Sequence, residues 1–512
     1  MTFNPLQERG IPLDRQLRNW RELNVAPIDP DHADPYTRCR IIALNGIEVE
    51  AILFSHQFAR NCPDLAVKQQ LAQVRYIEAQ QQKVVNWLLP GLASVLETTI
   101  AYEQVAVDLT AWVARMEPDP YLKQAYQFGV LEDFDHLYRY ANLFEMIEHR
   151  RAEKLVDDLT EVMPGRPTYL HHRHPIDNVR EPYDKETTDP ISKLHALTIM
   201  SAEQQTMNFY MNVGPTYMEP IARQLYQEIG LIEEEHVTHY ESLVDPGQTW
   251  WEQLLVHEYN ECYLYHSFMQ TESDPKVKAI WELHLNMELE HLRLAAELFK
   301  RHDGRDPEQV VASALPAPVT FEPNKAYVRE LLATQIDYTT IGTGYVQDAH
   351  ERFEQLQQAI HGGDAAQAPS EIVINDNRDK SGREYRHETE GRTRYPACAP
   401  PLTPVRPGSR LLRRPAPAPS PRAGAARQHR LSSGRAPYGP RPLPGMRAVS
   451  MPPHPRACPR SCPLGLSGTG CGLIASEKSH LLSQNPISSE PLGCRECRNP
   501  WSGPLKGLWN GP

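Results

Sequence analysis

The sequence predicts an all-α protein built as an antiparallel helical bundle, and three observations lead to this prediction. From about Leu71 to His302 the apolar residues recur with the period of a helix. The segments that show this period are rich in Leu, Ala, Glu, Gln and Met, which are good helix formers. Proline, glycine and aspartate residues fall between these segments, as expected at helix ends.

These breaks divide residues 71–310 into about six long helices that form three hairpins. The first hairpin joins 93–116 to 120–148, the second joins 190–213 to 217–244, and the third joins 249–271 to 275–302. Short turns between long helices make the two neighbours antiparallel. Residues 149–189 form a long connection, and residues 311–391 are predicted to be a helical and linker extension.

The two ends of the chain differ from this pattern. Residues 1–70 mix Pro, Asp and Asn with one apolar patch and are predicted to be irregular, although 47–54 alternates as a strand or a helix start would. Residues 392–512 hold 23 of the 46 prolines, 16 arginines and 6 of the 9 cysteines, and are predicted to be a disordered Pro/Arg-rich tail. The abrupt change favours the interpretation that this tail is a frame-shifted translation of GC-rich DNA, so we place no function there.

Charge and cysteine usage narrow the class of protein. Residues 392–512 hold 18 of the 53 basic and 3 of the 65 acidic residues, so residues 1–391 carry 35 basic and 62 acidic residues, a net charge of -27. That charge argues against nucleic acid as a partner of the body. No membrane-spanning run or signal peptide is evident. Only three cysteines, Cys39, Cys62 and Cys262, lie in the body, so we expect a cytoplasmic protein.

One spacing recurs in all three hairpins. A glutamate is followed 30 residues later by a second carboxylate and three residues after that by a histidine. The three sets are Glu203, Glu233 and His236; Glu258, Glu288 and His291; and Glu103, Asp133 and His136. In the first two sets a tyrosine, Tyr210 or Tyr265, lies seven residues after the first glutamate, where the last set has Thr110.

Helix geometry explains why these residues predict a metal site. Residues at i and i+3 share a helix face, and the first glutamate lies at the same height on the antiparallel partner helix. Two hairpins placed face to face would therefore supply four carboxylates and two imidazoles, the ligand set of dinuclear bundles.

The ligands also interrupt apolar stripes. Ile221, Leu225 and Ile229 are followed on the same face by Glu233 and His236. Because buried unpaired carboxylates are costly, bound cations are expected to compensate their charge. The alternative is a metal-free structural bundle with a buried polar network.

The doubled pattern resembles the ferritin-like superfamily of di-iron carboxylate proteins, and within it the rubrerythrins. The resemblance covers residues 190–300 well and 93–148 less well, and the body lacks the paired Cys-x-x-Cys motifs of a full rubrerythrin. It implies a ferritin-like four-helix bundle that holds two iron ions, although manganese also accepts oxygen and nitrogen ligands.

The resemblance also implies a role for each residue. The terminal carboxylate ligands would be Glu203 and Glu258, the bridging ones Glu233 and Glu288, and the terminal imidazoles His236 and His291. Tyr210 and Tyr265 would be candidate catalytic residues that hydrogen bond to the ligands. Glu103, Asp133 and His136 are ranked below these as ligands.

The pairing of the hairpins stays open. The family joins its second and third helices by a long crossover, which the 22 residues between His236 and Glu258 are too few to form. The 67 residues between His136 and Glu203 are ample. Motif quality thus favours pairing the second hairpin with the third, whereas connectivity favours pairing the first with either.

Four further expectations concern neighbouring residues. His171 to His174 could bind metal, but a solvated loop is favoured. Glu132, Glu234 and Glu235 are expected to face solvent. Glu261 could be an additional ligand, and His284 is expected to be a satisfied core histidine.

The function expected from the resemblance is an oxidoreductase that reacts with O₂ or peroxide, either as a peroxidase or as an oxygenase with a small organic substrate. Iron oxidation and storage is one alternative, and a metal-free structural protein is another. The sequence leaves a homo-oligomer open and predicts no membrane partner.

Overall fold

The computed structural model describes residues 3–30, 32–335, 339–341, 344–346 and 351–381. The described chain is helical almost throughout, which confirms the all-α prediction. The helices are α1 (Pro35–Asn61), α2 (Leu65–Trp87), α3 (Val95–Met116), α4 (Pro120–Glu148), α5 (Glu153–Val156), α6 (Pro175–Asn178), α7 (Pro190–Val213), α8 (Pro220–Glu241), α9 (Trp250–Thr271), α10 (Pro275–His302), α11 (Lys325–Gln335), α12 (Glu351–His361) and α13 (Pro369–Ser381).

Short elements complete the described chain. Strands β1 (Thr339–Ile341) and β2 (Gly344–Val346) form one antiparallel pair. Single 3-10 turns occupy Leu13–Arg15, Thr168–Leu170, Gly214–Thr216, Pro307–Gln309 and Ala365–Gln367.

The N-terminal region is the main correction to the sequence-based prediction. The prediction of an irregular 1–70 is wrong from residue 35 onward, because α1 and the start of α2 occupy that stretch. Helix α1 is buried on most sides, so it lacks the polar face that reveals an amphipathic helix. Its start carried a signal nevertheless: Asp34 caps the helix by accepting from the Tyr36 amide at 2.9 Å, and Pro35 follows it.

The eight long helices pair as four hairpins in two bundles. The inner bundle consists of α3, α4, α7 and α8, in which α3 packs on α7 and α4 on α8. The outer bundle consists of α1, α2, α9 and α10, in which α1 packs on α9. The first sequence-predicted hairpin therefore pairs with the second, as connectivity favoured, and the third pairs with the unforeseen hairpin α1–α2.

The two bundles contact each other through the first helix of each hairpin. Helix α1 packs extensively on α7 and α3, and α7 also packs on α9. Polar residues cross this contact: the Asn45 amide donates to Gln205 Oε1 at 2.7 Å, and Asn260 donates to the Thr198 hydroxyl at 3.1 Å. The bundles thus share one buried interior.

The connection 149–189 lies against the inner bundle and is anchored by Asp135 of α4. That carboxylate accepts from the Thr168 amide at 2.7 Å and from the Gly165 amide at 3.2 Å. A Cβ atom on Gly165 would lie 2.9 Å from the Asp135 nitrogen, so a side chain cannot be accommodated there without movement. The expected solvated loop is wrong for His171 and His172, which are buried beneath this connection.

The C-terminal extension also packs on the inner bundle. Helix α13 contacts α4 and α8, and α11 contacts α4. None of the described helices combines the length and the apolar character needed to cross a membrane. The predicted tail, 392–512, lies outside the described residues.

Candidate metal centre

Six side chains meet in the middle of the inner bundle, and we call them the inner cluster. Each is at most 2% exposed. Each of its four helices supplies a carboxylate, and α4 and α8 also supply a histidine. The members are Glu103 of α3, Asp133 and His136 of α4, Glu203 of α7, and Glu233 and His236 of α8.

Glu233 occupies the centre of the inner cluster. Its Oε1 atom lies 3.1 Å from His136 Nδ1, and its Oε2 atom lies 3.2 Å from His236 Nδ1. One group with ligand atoms within 4.8 Å of one another joins Glu233 to Glu103 and His136, and a second joins it to Asp133, Glu203 and His236. Glu233 is thus the member that the two groups have in common.

A chain of hydrogen bonds fixes the tautomer of His136. His171 Nε2 lies 3.0 Å from the Arg166 carbonyl oxygen, which can only accept, so His171 Nε2 carries the hydrogen. Burial lowers the pKa of His171 well below its usual value, so this imidazole is neutral and its Nδ1 is an acceptor. His136 Nε2, 3.1 Å away, must then donate to it. His136 Nδ1 is left with a lone pair that faces Glu233.

His236 is oriented in the same way by a different partner. Its Nε2 atom lies 2.5 Å from Glu132 Oε2, and its Nδ1 atom faces the carboxylates. Metal-binding histidines commonly donate their second ring N–H to a carboxylate or a carbonyl. The expectation of solvent exposure is wrong for Glu132 and Glu235, which are both buried, and is confirmed for Glu234.

The side chains of the inner cluster offer more acceptors than donors. Both oxygens of Asp133 and Glu103 Oε2 have no hydrogen-bond partner among the described residues. Burial and the neighbouring carboxylates raise the pKa values of Glu103 and Asp133 well above their usual range, and burial raises the pKa of Glu203 to about 7. These are the properties expected of hard oxygen ligands that a divalent cation would hold ionised.

The charge of the two histidines differs. Burial lowers the pKa of His136 to about 3, so this imidazole is neutral. Burial alone would also lower the pKa of His236, but the carboxylate of Glu203 and the hydrogen bond with Glu132 raise it well above its usual value. A protonated His236 therefore offsets part of the negative charge when no metal is bound.

Tyr210, a predicted candidate catalytic residue, lies on α7 of the inner bundle and contacts the inner cluster. Its hydroxyl donates to Glu103 Oε1 at 2.5 Å, so it acts on the glutamate of the opposite hairpin. Its ring lies 5.6 Å from Tyr226, which stacks on the half-buried Tyr217 at 5.3 Å, measured between ring centroids.

The structure places the remaining predicted ligands elsewhere. Glu258, Glu288 and His291 lie in the outer bundle, where they meet Glu48 of α1 and Glu78 of α2. Together with Gln81 and Glu261 we call these residues the outer cluster; each is at most 4% exposed. The expected additional ligand Glu261 therefore belongs to the outer cluster.

The hairpin α1–α2 is a fourth copy of the repeat. Glu78 follows Glu48 by 30 residues, and Gln81 follows three residues later, where the other copies have histidine. Ser55 occupies the position of the tyrosine. The spacing could have revealed this copy, but both the histidine and the tyrosine are missing from it.

Tyr265 mirrors Tyr210 in the outer bundle. Its hydroxyl donates to Glu48 and lies 3.0 Å from His284 Nδ1. His284 is thus a core histidine with a hydrogen-bond partner, as expected. The same relation between a tyrosine and the glutamate of the opposite hairpin occurs in both bundles.

The residues that orient the ligands were not predicted. His171 and Glu132 carry no spacing signal, because one lies in a connection and the other is simply next to a ligand. The chain matches no protein-family model, no curated protein and no solved structure.

Proposed function

We propose that the inner cluster binds two metal ions, which we take to be iron, and that the protein is a ferritin-like dinuclear oxidoreductase that reacts with O₂ or peroxide. The observation that carries this proposal is the contact between His136 and Glu233. Manganese is the alternative metal, because it accepts the same oxygen and nitrogen ligands.

Two acceptors face each other in this contact when the Glu233 carboxyl is ionised. His136 Nδ1 has a lone pair, as the hydrogen bonds through His171 require, and Glu233 Oε1 is a carboxylate oxygen 3.1 Å away. A buried pair of this kind is unfavourable unless a cation binds both atoms. The depressed pKa of His136 disfavours a proton on its Nδ1 atom. A metal ion satisfies both atoms.

The connectivity supports the ferritin-like assignment. The two hairpins of the inner bundle, α3–α4 and α7–α8, are separated by the long connection 149–189, as in that superfamily's crossover. Glu103 and His136 would hold one ion, and Asp133, Glu203 and His236 the other, with Glu233 shared. Each ion would then receive one imidazole.

The protein supplies several functions around such a centre. A pair of bound iron ions supplies two electrons for the reduction of O₂ or peroxide. The apolar helix faces exclude water from the ligands, which strengthens the electrostatic interactions inside the bundle. Glu132 and His171 hold the two imidazoles in the orientation that directs Nδ1 inward, and Tyr210 holds Glu103.

A row of aromatic rings favours a redox function over a structural one. Tyr210 contacts Glu103, Tyr226 follows it, and Tyr217 reaches the half-buried surface. Closely spaced phenol rings give electrons a stepwise route between a buried centre and an external donor. A purely structural bundle would not need such a route.

Metal analysis of the purified full-length chain tests the proposal. The double variant Glu233→Ala/His236→Ala should lose two ions relative to the wild type. A matched control is Glu117→Gln/His195→Gln, which removes another buried pair, 2.8 Å apart, away from both clusters. The control should keep its metal, and equal metal content in wild type and the first double variant would contradict the proposal.

The activity is then assigned with the iron-loaded protein. Peroxide consumption that depends on an added reductant indicates a peroxidase, and turnover of an organic molecule with O₂ indicates an oxygenase. Accumulation of Fe(III) far beyond two ions per chain would instead indicate storage and would contradict the oxidoreductase assignment.

A further inference from the structure

The outer cluster repeats one half of the inner cluster closely. Glu78 corresponds to Asp133, Glu258 to Glu203, Glu288 to Glu233 and His291 to His236. Ligand atoms of Glu78, Glu258 and His291 lie within 4.8 Å of one another. Glu288 Oε2 lies 2.9 Å from His291 Nδ1. Glu288 belongs instead to a second group, with Glu258 and Glu261, and it contacts the first group through His291.

His291 is oriented for ligation by Gln16. The Gln16 amide nitrogen donates to the carbonyl oxygens of Ile11 at 2.8 Å and Met287 at 3.1 Å, so its Oε1 atom must be an acceptor. That oxygen lies 2.7 Å from His291 Nε2, which consequently donates to it. As with the inner-cluster histidines, the ring presents Nδ1 to the carboxylates.

Unpaired buried oxygens occur in both halves of the outer cluster, since Glu48 Oε2 and both oxygens of Glu261 also lack a hydrogen-bond partner among the described residues. Glu78 Oε2 and Glu258 Oε2 have no hydrogen-bond partner in the described part of the chain, although both residues are at most 4% exposed. A cavity of about 10 Å³ adjoins Glu78, Glu258 and His291, which is roughly the space that one water molecule needs. An ion bound here could therefore keep one water ligand.

In the other half of the outer cluster, a glutamine takes the position of the second imidazole. Gln81 stands where His136 stands in the inner cluster, and its amide nitrogen donates to Glu288 Oε1. The equivalent oxygen, Glu233 Oε1, faces the lone pair of His136 instead. In the outer cluster a hydrogen bond thus takes the place of the contact that a second ion would bridge.

We propose that the outer cluster binds a single divalent ion of the manganese or iron type through Glu78, Glu258, Glu288 and His291, so that each chain holds three ions. Three carboxylates and one imidazole suit hard to borderline first-row ions. The outer site shares no ligand with the inner cluster, but the total of three ions rests on the two ions proposed there.

Metal stoichiometry tests the proposal on the full-length chain reconstituted anaerobically with Mn(II). The wild type should bind three ions. Glu78→Gln/His291→Gln should bind two, and Glu233→Ala/His236→Ala should bind one. No loss of an ion from the outer-cluster variant, relative to the wild type, would overturn the proposal and leave the inner cluster's two ions unaffected. If only the outer-cluster variant loses ions and Glu233→Ala/His236→Ala keeps them, the proposed function is contradicted instead.

Electron paramagnetic resonance of the Mn(II)-loaded wild type needs no variant. An isolated ion gives a resolved hyperfine spectrum, whereas two ions sharing a carboxylate are exchange-coupled. One uncoupled ion beside one coupled pair supports the proposal. Two coupled pairs, as expected if Glu261 completed a second outer position, would overturn it.

A gain-of-function variant tests the role of Gln81. The side chain borders a cavity of about 160 Å³, which leaves room for an imidazole. Gln81→His should raise the content from three to four ions per chain and remove the uncoupled signal. The control Gln82→His adds a histidine one position along, where Gln82 donates to Asn45, and should leave the content at three. No gain from Gln81→His would contradict the assigned role.

Discussion

Glu132 Oε2 lies 2.5 Å from His236 Nε2, and this hydrogen bond joins two different hairpins of the inner bundle. Burial would raise the pKa of Glu132, but the hydrogen bond and charge of His236 lower it. The carboxylate is therefore ionised and orients the imidazole. Replacing it as Glu132→Gln keeps an acceptor but removes the charge.

We expect Glu132→Gln to weaken metal binding by the inner cluster by about 10-fold to 100-fold, the usual effect of losing such a partner. Competition with a chelator measures the change. The neighbouring variant Glu234→Gln alters an outward-facing residue and should bind as the wild type does. Equal affinities for all three proteins would show that Glu132 does not orient His236.

His171 offers a second test of ligand orientation. His171→Leu removes the acceptor for His136 Nε2, so the His136 ring can adopt the wrong tautomer. We expect metal affinity to fall by about 10-fold to 100-fold. His171→Asn offers a side-chain oxygen near the same place and should recover part of the affinity. Unchanged affinity in His171→Leu would contradict the hydrogen-bond chain described here.

The row of tyrosine rings predicts that a substitution within it slows reduction of the metal centre without changing the metal content. Tyr226→Phe removes the phenol between Tyr210 and Tyr217 but keeps the ring packing. Reduction of the metal centre by an external donor should slow about 10-fold or more, while metal content stays the same. Tyr263→Phe, which removes a hydroxyl that donates to the Ala317 carbonyl oxygen at 2.6 Å, is the matched control. Equal reduction rates in both variants would exclude this route.

Asp108 gives a prediction about pH and stability that is independent of metal. Burial raises the pKa of Asp108 to about 7, despite a 2.6 Å hydrogen bond from the Thr160 hydroxyl. The folded state therefore holds the Asp108 proton more tightly than the unfolded state does. The stability that this difference contributes to the folded protein is complete below about pH 4, and it is lost as the pH rises to about 7.

The variant Asp108→Asn stays uncharged over that range. The free energy of unfolding of the wild type, relative to this variant, should therefore fall by up to about 4 kcal/mol between pH 4 and pH 7. Denaturant titrations at several pH values measure the difference. A difference that does not change with pH would mean that Asp108 ionises normally in the folded protein.

The helices that the sequence predicted are those with a polar face or a clear break. Asp119, Asp189 and Asp274, each followed by proline, begin α4, α7 and α10 as N-caps. Asp34 with Pro35 is the same signal, but α1 has almost no polar face to accompany it. Hydrophobic periodicity fails for a helix that is buried on most sides.

That the residues of the inner cluster are buried together was predictable, because repeated spacing and apolar stripes coincide at them. The pairing of hairpins was not, since similar motifs in the second and third hairpins suggested a common site. Chain connectivity decided the outcome: the turn between α8 and α9 is too short for a crossover. Glu48 and Glu78 escaped notice because Gln81 and Ser55 replace the two most recognisable residues of the repeat.

Anomalous diffraction at the iron edge, from crystals of the iron-loaded full-length chain, would locate the ions themselves. We expect two adjacent peaks in the inner bundle, one beside His136 and one beside His236, with the Glu233 carboxylate between them. Iron peaks confined to the protein surface, or an inner bundle with no peak in contact with these three residues, would contradict this expectation.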